Sequence, residues 1–117
     1  MTAFDGNWSI KVVDKLPKMR DNKMMIFFDA DIMGAEISIR CRREGDYMHL
    51  KGLSGRKKLK KIFIDLKIPK EIRDKIALVA IGDEVLFVPG VRKSSSYMPN
   101  EHTKRFCVIE YAEASEG

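Results

Sequence analysis

The residues of this 117-residue chain with the most chemistry in them are cations, and they are clustered. Residues 1–39 carry a net −1, residues 40–75 a net +8, and residues 76–117 a net −2. Clustered Lys and Arg suit a polyanion, because neutralising phosphates releases their counterions. A solvated helix face accounts for the same count, and charge alone leaves both open. Arg supplies a planar fork that matches phosphate oxygens and Lys a point charge on a flexible stem. Arg40, Arg42, Arg43, Arg56, Lys57, Lys58, Lys60, Lys61, Arg73, Arg92 and Lys93 offer both kinds.

Other chemistry is poorly supported. His49 and His102 sit in polar stretches with no Ser or Cys nucleophile motif beside them, which fits solvated surface imidazoles. Asp29 and Asp31, two apart, would share a strand face but lack further ligands in sequence. Hydrogen bonding at a strand end suits them better than a metal. "KGLSGRKK" has two glycines followed by cations but neither the spacing nor the preceding apolar strand of a phosphate loop. Cys41 and Cys107 stand far apart with no C-x-x-C, so neither a zinc site nor a disulfide framework is indicated, and reduced thiols in a cytoplasmic protein are expected. No apolar run approaches the ~20 residues of a membrane helix, and the N-terminus lacks a secretory pattern.

These groups must be positioned by a small framework. Asn7 to Val13 alternates, with Trp8, Ile10 and Val12 on one side, as in a half-buried strand. A charged loop around Pro17 follows. Lys23 to Asp31 begins with a continuous apolar run and predicts a buried strand. Ala35 to Arg43 alternates again, placing Ile37, Ile39 and Cys41 inward, and residues 44–55, with three glycines, read as loop. Leu59, Ile62, Phe63 and Leu66 then recur at i, i+3, i+4, i+7, one helical stripe, with Lys57, Lys58, Lys60, Lys61 and Lys67 around the rest. Ser54 is placed to cap this helix and Pro69 to end it and open a second, with Ile72 and Ile76 on one face. "ALVAI" and "VLFV" flank Gly82-Asp83 as a hairpin, "PGVRKSSSYMPNEH" is a polar loop, and Thr103 to Tyr111 closes the fold as a strand.

The expectation is a single α+β domain over 1–117, mostly antiparallel and sandwich-like. It has five or six strands, two short helices in the middle, a partly irregular arm over 1–22 and a frayed tail over 112–117. Tyr47, Phe63 and Tyr97 could stack on bases, but Phe63 lies on the apolar stripe. Without an exposed aromatic row, backbone contacts to a folded RNA duplex suit the cations better than a single-strand platform.

The stretch "LSGRKKLKKIFIDLKIPKEIRDKIALVAIGDEVLFVPGVRKS" resembles the C-terminal domain of bacterial tRNA(Ile)-lysidine synthetases. Gly55, Lys57-Lys58, Leu59, Phe63-Ile64-Asp65, Lys67-Ile68-Pro69, Arg73-Asp74, Val88 to Gly90 and Arg92 carry the resemblance. "FFDAD" and Arg40, Arg43, Gly45 and Asp46 extend it over roughly residues 24–110. Ala77 stands where the family often has proline. The resemblance implies an enzyme that joins lysine to the wobble cytidine of an isoleucine tRNA with ATP and magnesium, through an adenylated intermediate. The S-G-G-x-D-S motif of the catalytic domain is absent here, so the chain is expected to be the accessory domain alone, inactive by itself. The implied partners are the tRNA, near its acceptor stem, and the catalytic domain, with homodimerisation open and no membrane. The residues expected to meet phosphate are Arg42, Arg43, Lys57, Lys58, Lys61, Arg73, Arg92 and Lys93. A structural or dimerisation role without RNA contact is the other reading.

Overall fold

The computed structural model describes residues 6–16, 23–34 and 36–113, in two compact units: one from residues 6–34 and 97–113, the other from 36–96. The stretch around Pro17 and the tail from 114 onward lie outside the described residues.

The first unit is a three-stranded antiparallel sheet in the order β1-β9-β2, from β1 (Gly6–Val13), β2 (Met25–Asp29) and β9 (Phe106–Glu113). The central β9 is buried from Phe106 to Ile109, and Met25, Ile26 and Phe28 of β2 complete this core. On the edge strand β1, Ile10 and Val12 remain 46% and 50% exposed, so the side expected inward is only partly covered. Helix α1 (Ala30–Met33) follows β2 directly. It starts there because Asp29 Oδ1 accepts from the backbone N–H groups of Asp31 and Ile32, at 3.0 and 3.2 Å. It stops at Gly34, whose φ of 49° lets the chain turn left-handed.

The second unit carries 15 Lys/Arg and 8 Asp/Glu, a net +7, and the rest of the 117-residue chain the remaining 7 and 9, a net −2. Its six-stranded sheet runs β3-β6-β7-β4-β5, with β8 paired to β7. The strands are β3 (Ser38–Arg40), β4 (Tyr47–His49), β5 (Arg56–Lys58), β6 (Leu78–Ile81), β7 (Glu84–Val88) and β8 (Arg92–Lys93). The hairpin β6–β7 turns at Gly82-Asp83 as expected, and β4 alone pairs in parallel, on β7. Helices α2 (Leu59–Asp65) and α3 (Lys70–Arg73) lie between β5 and β6. The core gathers Met48, Leu59, Ile62, Phe63, Leu78, Ala80, Val85 and Val88, with Leu50, Ile68, Ile76 and Val91 at its margin.

The fold class is α+β with mostly antiparallel pairing, as the patterns predict, but the elements are finer. Among the described residues there are nine strands and three short helices. The loop expected over 44–55 contains β4, and the strand expected over 35–43 keeps only three paired residues. Helix α2 begins four residues later than a Ser54 cap requires. Gly55 (φ 84°) turns the chain into a strand first, and the Leu59 N–H donates to the Asp46 carbonyl. Leu66 falls just past the helix and is 40% exposed, so the core stripe is Leu59, Ile62 and Phe63.

Candidate nucleic-acid interface

The second unit's cations are held by a small scaffold built around Asp46. Its buried carboxylate accepts both Nη groups of Arg40 and the Arg43 backbone N–H, each at 2.8 Å. The Asp46 N–H returns to the Arg43 carbonyl at 3.2 Å, with Gly45 at φ 90° completing the turn. Arg40 also donates to the carbonyls of Cys41 and Gly82. Arg40 is therefore a brace rather than a free cation. The consequence is a hydrogen-bonded turn that ends β3 and leads into a half-buried Arg42 and an exposed Arg43.

Two cation-lined grooves follow. The first is lined by Arg42, Arg43, Lys58 and Lys60, together with Glu44, Gly45 and Asp46. Arg42 is steadied by Asp74, which accepts from its Nε and Nη2 at 3.0 and 2.8 Å, and Arg43 reaches the Gly82 carbonyl at 3.4 Å. The second groove is bounded by Lys51, Lys57, Arg92 and Lys93, with Leu50 and Leu53. Lys57 donates to Asp65 at 2.6 Å, and this bond, ahead of the nearby charges, holds the Asp65 carboxyl below its ordinary value.

Of the eight expected contact residues, six line these grooves: Arg42, Arg43 and Lys58 in one, Lys57, Arg92 and Lys93 in the other. Lys61 is exposed on α2 and lines neither. Arg73 is turned inward, its Nε donating to the Ile68 carbonyl at 2.8 Å, where it ties α3 to the end of α2. Sequence reasoning missed Lys51, which looked like one more polar residue in a loop. The signal was the strand pair on either side of that loop, concealed because β5 is made of three cations.

The aromatics separate as burial requires. Phe63 is wholly buried, while Tyr47 lies under the Arg56 guanidinium, 4.3 Å from the ring centre, and edge-on to His49 at 5.7 Å. His49 is 3.8 Å from Glu84, and its carbonyl accepts from the hydroxyls of Ser94 and Ser95. His102 is almost wholly exposed. Asp29 takes the hydrogen-bonding role expected of it. Besides capping α1 it accepts from the Thr103 hydroxyl at 2.8 Å, and chiefly through that bond its carboxyl is held low.

Gly52 and Gly55 shape a loop that enters the edge strand β5, not a strand-to-helix turn with amides converging on a phosphate. Both cysteines are free, with burial raising the two thiols' pKa values. Among the described residues no group of three or more His, Cys, Asp or Glu could hold a metal, and no helix is long and apolar enough to cross a membrane.

Known proteins are similar to this chain in sequence and shape. A family model described as TilS substrate C-terminal domain matches residues 37–110. A tRNA(Ile)-lysidine synthase of Caldanaerobacter subterraneus is 41% identical over 108 residues, 91% of this chain and 23% of the relative. One from Clostridium acetobutylicum is 40% identical over 93 residues, 80% of this chain and 20% of the relative. A bifunctional TilS/HprT protein of Listeria monocytogenes is 36% identical over 110 residues, 92% of this chain and 17% of that protein. The chain thus spans about a fifth of the length of these relatives. A crystal structure of a TilS C-terminal domain superposes with a TM-score of 0.81 at 30% identity, covering 96% of this chain and 87% of that one.

Proposed function

The chain belongs to the TilS substrate C-terminal domain family, and on that premise we propose that it is the tRNA-holding accessory domain of a tRNA(Ile)-lysidine synthase. Its task is to grip the acceptor-stem region by the backbone while a separate catalytic domain joins lysine to the wobble cytidine. ATP and magnesium belong to that other domain, and this chain alone is inactive as a ligase. The setting for such an enzyme is the cytoplasm.

The observation that carries the reading is the pair of cation-lined grooves in a unit of net charge +7. Such grooves recognise a backbone and its shape rather than a base sequence, which suits a duplex. The test is binding of the 117-residue chain to an isoleucine tRNA transcript across a salt series. The logarithm of affinity should fall linearly with the logarithm of salt, with a slope set by the number of phosphates neutralised. No binding at low salt, or a flat salt dependence, sinks it.

A second reading has its own observation. Ile10 and Val12 stay half exposed on the edge strand β1, as they would on a surface that packs against the rest of a larger enzyme or a second copy. Charge reversal at Lys58 and Lys61 in the full-length enzyme separates the two. Lost tRNA affinity with unchanged oligomeric state favours the RNA reading, and the opposite favours the structural one. Lys57 is a poor choice for reversal, because a glutamate there would face Asp65.

A further inference from the structure

We propose that the second unit grips two separate runs of phosphodiester backbone, one on each face of its edge strand β5; this rests on the RNA-holding reading above. The argument begins with the neighbours Lys57 and Lys58. Successive side chains of a strand point to opposite faces, so the pair cannot serve one site. The register says where each goes. Lys57 lies opposite Met48, whose side chain is wholly buried, so its face is the core side, where α2 packs. Lys57 escapes at the edge of that core to reach Asp65 and the groove of Lys51, Arg92 and Lys93. Lys58 lies opposite Tyr47, and shares the outer face with Arg56 and His49. From there it enters the groove of Arg42, Arg43 and Lys60.

The two grooves therefore have four cations each and no residue in common. They are divided by a strand that ends the sheet, with Arg56–Lys58 paired only on the β4 side. A single backbone passing one face leaves the other four cations without phosphate. A duplex offers two backbones flanking a shallow groove, and an edge strand between two cation sets is arranged to meet one on either side.

The experiment uses the 117-residue chain and an isoleucine tRNA transcript, with two double variants. Arg43→Gln with Lys58→Gln strips the outer groove, and Lys51→Gln with Arg92→Gln strips the inner one; all four side chains are exposed. Each pair should reduce the salt slope by about 1.4–1.8, and the four together by about twice that. Phosphate-ethylation interference should show two separated clusters of phosphates, each pair of substitutions erasing one. Should either double variant fold poorly by circular dichroism, Lys58→Gln and Arg92→Gln alone carry the comparison. The proposal is overturned if one pair leaves slope and footprint unchanged, or if both erase the same cluster. It is also overturned if Lys104→Gln, in the other unit, lowers the slope as much as a groove substitution does. In all three cases wild-type binding remains steep in salt and the RNA-holding reading survives. A wild-type chain that fails to bind at low salt removes that reading and this inference together.

Discussion

Arg40 and Asp46 form a two-pronged ion pair, Nη1 to Oδ2 and Nη2 to Oδ1, both at 2.8 Å, with side chains 14% and 1% exposed. Six residues apart in sequence, they close the turn that leads out of β3, and Asp46 offers its carbonyl to the first N–H of α2. One residue thus links, by its carboxylate, the turn carrying Arg42 and Arg43 and, by its backbone carbonyl, the start of the helix. Removing one partner of a buried pair leaves the other charge uncompensated. Asp46→Ala should cost about 3–5 kcal/mol in urea or guanidinium unfolding. Arg43→Gln, at an exposed side chain with one long hydrogen bond and an exposed ion pair to Asp83 at 3.6 Å, should change stability by no more than about 0.5 kcal/mol. Equal costs would mean the turn is not held by Asp46.

The Lys57–Asp65 pair predicts a pH dependence. Asp65 is held below its ordinary value of 3.8, chiefly by the Lys57 hydrogen bond. A carboxylate with a lowered folded-state pKa contributes stability that is present above the unfolded value and lost as pH falls through the folded one. Wild type and Asp65→Asn should therefore differ most near neutral pH and converge below about pH 4. Both side chains are partly exposed, so 1 M salt should narrow the difference at pH 7. Thermal unfolding of both proteins between pH 7 and pH 2.5 checks this, and a gap that widens toward acid would contradict it.

How much of this was readable beforehand depends on which signal each segment carried. Val85 to Val88 and Met25 to Phe28 read correctly as strands because burial had made them continuous apolar runs. The α2 stripe was legible as a period, though not its limits. Lys57-Lys58 looked like the solvated start of a helix because three consecutive cations have little strand propensity. They form β5 through pairing with residues 47–49, a tertiary effect that a local window does not contain. The charge count was similarly informative and incomplete. The +8 band holds the first groove's cations but only Lys51 and Lys57 of the second's, and within it Arg40 is committed to Asp46, Arg73 to a carbonyl, and Arg42 and Lys57 are steadied by acids. Counting charges could not separate a brace from a contact.

The corrected limits of α2 make their own prediction. Phe63 is fully buried in the second unit's core, whereas Leu66 is 40% exposed one residue past the helix. Phe63→Ala should cost about 3–5 kcal/mol and Leu66→Ala about 1 kcal/mol or less. Chemical denaturation of the two variants decides it. Similar losses would restore Leu66 to the core stripe that its spacing suggests.

Lys67 offers a gain rather than a loss. It has φ 58°, a left-handed conformation that costs an L-residue about 1–2 kcal/mol and glycine nothing comparable. The position is dictated by the end of α2, where the N–H of Ile68 returns to the Phe63 carbonyl and that of Lys67 to Ile64, the pattern that glycine usually completes. Glycine also loosens the unfolded chain, offsetting about 0.4–1 kcal/mol of the relief. Lys67→Gly should therefore stabilise the chain by about 0.5–1 kcal/mol, read as a higher denaturation midpoint with an unchanged slope. Because Lys67 lines neither groove, the salt slope of tRNA binding should stay where it was. A stabilised variant whose slope fell would make Lys67 a phosphate contact, held in its strained conformation for that purpose.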